Sequence, residues 1–282
     1  MTKLDQFESA FKSAVKEKFS RQDVQINRVV VVTDLDEAQT KRLSERVRSY
    51  LRVLGDAVEW HEVAGDGYDT VQSLLKLLES KHPDLVVTHR NLHEGQTRSA
   101  FGLGIHLDAL TQATPLPVLV LPDPDREDEA EHALKDTNTV MVVADHLTGD
   151  NRLVSFGARL TERGGTLYLA HIEDDAVFDR YMAAIEKIVA IDTEEARTEI
   201  ARVLLKEPTD FIENCREKLS DAGLTVERML QMGHRLHDYQ RLVEERQVDL
   251  LIFNTKDDTQ LAMHGLAYPL AVELREIPLL ML

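Results

Sequence analysis

Apolar and polar positions along this chain follow two periods that take turns. Before Arg28, Phe7, Phe11, Val15 and Phe19 recur every four residues, with Leu4 nearby and charges between them. That spacing predicts one amphipathic helix, placed over residues 1–24. From Arg28 onward, short β-branched runs alternate with helical patterns. Strands are predicted over 29–33, 58–63, 85–88 and 118–121, with helices over 38–54, 70–81 and 99–113 between them. Strict alternation of this kind builds βαβ units and a mainly parallel sheet with helices on its faces.

Residues 122–138 interrupt the rhythm with two prolines and seven acidic residues, and 123–138 read as an acidic linker. The pattern then restarts. Strands are predicted over 140–144, 166–171, 225–231, 250–253 and 278–282. Helices fall over 152–163, 238–245 and through 270–275, and a long helical region over 177–222 is broken near Pro208.

Aligning the chain with itself shows that the second run repeats the first. The run Val-Val-Val-Val-Thr-Asp ending at Asp34 matches Val-Met-Val-Val-Ala-Asp ending at Asp145. Val63-Ala64-Gly65 matches Gln231-Met232-Gly233, and Asp84-Leu-Val-Val matches Asp249-Leu-Leu-Ile. Gly104 and Gly265 each stand 13 residues before a proline, Pro117 and Pro278, that opens a final strand. The copies are unequal: the first lacks a piece corresponding to residues 166–222. The expected fold is therefore α/β, with two tandem open parallel-sheet domains, a shortened one over 25–122 and a full-length one over 139–282.

Charge narrows the range of partners. The formal net charge is −17 and no cluster of Lys and Arg occurs, which excludes an ordinary nucleic-acid binder. No apolar run approaches the ~20 residues of a membrane span, so no integral membrane segment is expected. Residues 1–20 lack the apolar core of a secretory signal, and a cytoplasmic location is expected. The single cysteine, Cys215, cannot form an intramolecular disulfide. Its helical spacing from Ile212 and Leu219 reads as that of a small buried apolar residue.

The repeated anchors resemble those of the universal stress protein family in its tandem form. They are the strand ending in Asp34 or Asp145, the strand-to-glycine step at Gly65 or Gly233, the Asp-Leu-Val-Val strand and the closing Thr114-Pro-Leu-Pro-Val-Leu-Val-Leu. The resemblance covers Arg28 to Leu282. It implies two copies of an adenine-nucleotide alpha hydrolase-like fold, with the aspartate after the first strand at the adenine end of a nucleotide. It also implies a loop Gly-x2-Gly-x9-Gly-Ser/Thr that holds the phosphates.

The sequence departs from that loop. Gly104 and Gly265 match its last glycine, but Ile105 and Leu266 replace the hydroxyl residue that follows. Upstream, the first half offers only Gly95, and the second has no glycine and carries Asp257 and Asp258 instead. Backbone amides approach a phosphate closely only where no Cβ intervenes, so ATP or AMP is disfavoured as a cofactor. Asp34 and Asp145 remain open between contacting a ligand and capping the next helix, with capping favoured for Asp145. Arg90 and Lys256 follow the Asp-Leu-Val-Val strand of the first half and its Asp-Leu-Leu-Ile counterpart in the second, and are candidates to neutralise an anion.

Other chemistry finds little support. The dinucleotide fingerprint, the Walker phosphate loop, the nucleophile elbow and the His-Glu-x2-His helix are all missing from the sequence, and no catalytic residue is assigned. His234 and His237, with His61 or His171 conceivably nearby, are too few for a metal site. The N-terminal phenylalanines are open to packing on the shortened first half, docking to a partner or lying on a membrane, and the first is expected. The two halves are expected to pair through strands 118–121 and 279–282. A homo-oligomer or a protein partner stays open. The reading is a non-enzymatic stress-response or regulatory protein. Its alternatives are a nucleotide sensor using Asp34, Arg90, Gly95 and Gly104, and an accessory subunit of a membrane transporter.

Overall fold

A computed structural model describes residues 18–94, 102–124, 134–144, 147–188, 192–256, 263 and 265–282. The β-branched runs form strands β1 (Arg28–Val32), β2 (Glu59–Val63), β3 (Leu85–His89) and β4 (Val118–Leu121), then β5 (Thr139–Val143), β6 (Thr166–Asp174), β7 (Thr225–Gly233), β8 (Leu250–Phe253) and β9 (Leu279–Met281). The helices are α1 (Glu37–Tyr50), α2 (Val71–Lys81), α3 (Ile105–Ala113), α4 (Asn151–Leu160), α5 (Asp175–Ile185), α6 (Thr193–Lys218), α7 (Arg235–Arg246) and α8 (Ala267–Glu273). Short polar side chains start several of them: Asp36, Thr70, Asp150, Asp174 and Asp192 each accept a backbone N–H from the first turn.

All nine strands form one sheet in the order β2-β1-β3-β4-β9-β8-β5-β6-β7. Every pairing is parallel except that of β4 with β9, where Val118, Leu119 and Val120 face Met281, Leu280 and Leu279 antiparallel. The last strands of the two halves therefore join, and the apolar C-terminal residues are covered rather than left as an open edge. One face of the sheet packs on α1, α4 and α6, the other on α2, α3, α7 and α8. Among the described residues, no helix is long and apolar enough to cross a membrane.

Two aspartates in the two halves of the sheet make matched contacts. Asp84, just before β3, accepts the amides of Asn27 and Arg28 at the start of β1. Asp249, just before β8, accepts the amide of Thr139 at the start of β5. These two aspartates tie the amino ends of neighbouring strands. Across the joint, the Tyr50 hydroxyl donates to the Asp249 carbonyl at 2.8 Å, and Arg159 donates to the carbonyls of Val53 and Leu54.

Three expectations need correction. The helical region does not break near Pro208: α6 runs through it, and the interruption falls between Ile185 and Thr193. A proline inside a helix costs ~3 kcal/mol. Burial of Phe211, Ile212 and Cys215 in the turns beyond offsets this, at ~1.5–3 kcal/mol for each large side chain. Second, the alignment equates the end of β2 with the end of β7, yet β2 lies beside β1 as β6 lies beside β5. The sheet position that the first half lacks is the outermost one.

Third, residues 18–27 are not helical, because the amides of Phe19, Ser20 and Gln22 bond to the side chains of Asn214, Asn151 and Ser155. The Phe19 ring meets Phe211 of α6 edge-on at 6.3 Å, so this end of the aromatic stripe packs on the second half. The complementary surface is on α6, which only the second half contains. Leu4, Phe7, Phe11 and Val15 lie outside the described residues.

Candidate ligand site at the carboxyl edge of the sheet

In an open α/β sheet, ligands bind beyond the carboxyl ends of the strands where successive connections leave in opposite directions. That point lies between β1 and β3 in the first half and between β5 and β8 in the second. Asp34 stands in the first crevice. Its Oδ1 is 3.0 Å from Nε2 of the buried His89, out of line for a good hydrogen bond, and its Oδ2 accepts the His93 amide at 2.9 Å. Nδ1 of His89 meets the Arg90 carbonyl at 2.8 Å. Burial pushes the Asp34 carboxyl up, but the His89 ring and the His93 amide outweigh it and hold it at about 2.

Three rings close over this aspartate. Tyr68 donates its hydroxyl to the Thr33 carbonyl, and burial, with Asp34 nearby, raises its phenol above the usual range. Its ring meets His93 edge-on at 4.7 Å and His106 at 6.0 Å, and the two imidazoles stand 5.2 Å apart. His106 is buried in the first turn of α3. Burial and the neighbouring His93 hold its basicity below the usual level.

Gly104, at the start of α3, has φ +89°, and a Cβ there would stand 2.5 Å from Oε1 of Glu94. A helix N-terminus attracts anions through its free amides and dipole. Here a carboxylate of the chain itself lies against it. The family resemblance puts a nucleotide's phosphates at this end of α3 and its adenine near Asp34. The residues present do not fit that ligand: Asp34 is engaged from both sides, Glu94 would repel a phosphate, and Ile105 supplies no hydroxyl.

The other predicted site residues divide clearly. Gly65 is pressed against the Asp34 backbone, where a Cβ would come within 2.5 Å of the carbonyl oxygen, so its role is close packing. Arg90 is buried: its guanidinium donates to the Leu274 carbonyl at 2.6 Å, joining the two halves, and the Asp123 carboxylate lies near it. Gly95 and Asp145 lie outside the described residues.

In the second half, Gly233 leaves no room for a Cβ beside the Asp238 carboxylate, whereas Gly265 has open space around it and no left-handed backbone to require a glycine. Lys256 is half-buried after β8. His171 bonds Ala144 and Glu173 and His61 lies near Glu59, while the His234 amide donates to Asp238. Among the described residues, no group of three His, Cys, Asp or Glu side chains is placed to hold a metal ion. Cys215 is buried, and its thiol is pushed up to about 12 by that burial.

Sequence reasoning missed His89, His93, Glu94, Tyr68 and His106. A signal was present in the pair of histidines four apart, one ending β3 and one just beyond it, with a third two residues past Gly104. Without the sheet order, nothing placed them beside Asp34.

No protein-family model and no curated protein matches the chain. Among solved structures, it is similar to a universal stress protein from Archaeoglobus fulgidus DSM 4304 at 13% identity, covering 91% of this chain and 98% of that one, with a TM-score of 0.54. It is also similar to a functionally unknown protein from Pseudomonas aeruginosa PAO1 at 14% identity, covering 91% and 92%, with a TM-score of 0.51. At such identities the likeness is one of fold: the chain shares a mixed α/β architecture with these structures.

Proposed function

We propose that this chain is a non-enzymatic regulatory protein of the universal stress protein type. In this reading a shortened module over 25–122 and a full-length one over 139–282 act through protein contacts, and the first-half crevice takes no nucleotide in the family's manner. One observation carries the reading: the chain fills that crevice itself. Asp34 is held by His89 and His93, and Glu94 lies against Gly104 at the start of α3.

The test is a thermal melt at pH 7.5 with ATP, ADP and AMP, with and without magnesium. A ligand at 100 times its Kd adds ~2.7 kcal/mol of stability and moves the midpoint by several degrees. No saturable shift is expected at millimolar nucleotide. A saturable shift abolished by Asp34→Ala would overturn the reading in favour of a nucleotide sensor.

A further inference from the structure

The first-half crevice holds more titratable groups than its packing explains. Asp34 reaches it from the end of β1, Tyr68 from the segment after β2, His89 from β3, His93 and Glu94 from the segment after β3, and His106 from α3. Asp108, two residues further along α3, lies close enough to Glu94 to feel its charge. His106 differs from the rest. It is 7% exposed, and among the described residues neither ring nitrogen has an aligned hydrogen-bond partner, although the Leu92 backbone lies close enough to favour the charged ring somewhat.

A neutral imidazole can sit in such a place at modest cost, but a charged one cannot. Protonation would put two N–H donors and a full charge into a site with no aligned acceptor among the described residues. The charge would lie 5.2 Å, ring to ring, from His93 and in the first turn of a helix, where the dipole repels cations. Asp34 and Glu94 favour the cation, yet Asp34 is already engaged by His89 and the His93 amide, and no carboxylate reaches a His106 nitrogen.

We propose that His106 is a proton-operated latch: the neutral ring holds the first turn of α3 in the crevice between β1 and β3, and the protonated ring leaves it. The release frees Gly104 from Glu94 and uncovers the Tyr68 and His93 rings, opening the crevice only under acid conditions. This rests on the reading that the chain's own side chains fill the crevice at neutral pH.

The sign follows from linkage. A base whose affinity for protons is lower in the closed state than in the open one favours opening as pH falls, by up to about tenfold in the opening constant per pH unit. Hydrogen exchange at pH 7.5 and 5.5, corrected for the intrinsic pH dependence of exchange, reads this directly over residues 102–113, with α8 as the internal reference. The wild type is expected to lose protection there selectively at pH 5.5. His106→Phe, which keeps a ring without a titrating nitrogen, should lose none, and His106→Gln gives the same comparison should the phenylalanine variant fail to fold.

Equal protection at both pH values, or the same acid loss in the variants, overturns the latch. The nucleotide melt at pH 7.5 separately decides the underlying reading. A shift there sinks that reading, while an absent shift together with unchanged exchange sinks the latch alone.

Discussion

The Arg90 guanidinium, one residue past β3, donates to the carbonyl of Leu274 beyond α8 at 2.6 Å, so a side chain of the first half closes a backbone position of the second. Burial and the nearby Arg275 lower its basicity to about 10, and it stays charged at neutral pH. Arg90→Met should therefore leave a buried carbonyl without its donor. A loss of about 2–4 kcal/mol is expected, read as a drop of several degrees in Tm. An unchanged Tm would mean that the contact contributes nothing to the joint.

Asp34 makes a second prediction, at acid pH. Its carboxyl is held at about 2 against an ordinary 3.8, so it binds protons less readily folded than unfolded. The resulting stability is fully present above pH ~4 and is lost as pH falls toward 2, amounting to about 2 kcal/mol at neutral pH. Denaturant titrations from pH 5 to 2 should show this fall in the wild type and a flatter curve in Asp34→Asn. Parallel curves would place the acid sensitivity elsewhere.

The two glycines that close the matched loops should behave differently. Gly104→Ala meets a left-handed backbone and the Glu94 carboxylate, and a cost of about 1–2 kcal/mol is expected. Gly265→Ala has open space and no such backbone, and its Tm should stay close to that of the wild type. Equal losses would show that the loops are equivalent after all.

Much of the fold was legible because strands announce themselves locally. Val29 to Val32 and Val140 to Val143 are β-branched or apolar runs buried on both faces, and the repeated aspartates before β3 and β8 mark the same step twice. The pairing of β4 with β9 was what the family resemblance implied. What stayed hidden depended on distance in sequence. Arg90 reads as a loop cation until Leu274 is brought to it, and Phe19 was expected on the first half until Phe211 was brought to it. Pro208 carries a strong local breaking signal, which burial around Phe211 and Ile212 overrides.

Because β4 and β9 run in opposite directions, the carboxyl edge of one half meets the amino edge of the other at their shared ladder, as the Arg90 and Leu274 contact records. The crevice between β1 and β3 and the one between β5 and β8 thus open away from each other across that joint. No single small molecule can bridge them. Anything seated on one edge would leave the other uncovered, although both belong to a single continuous sheet.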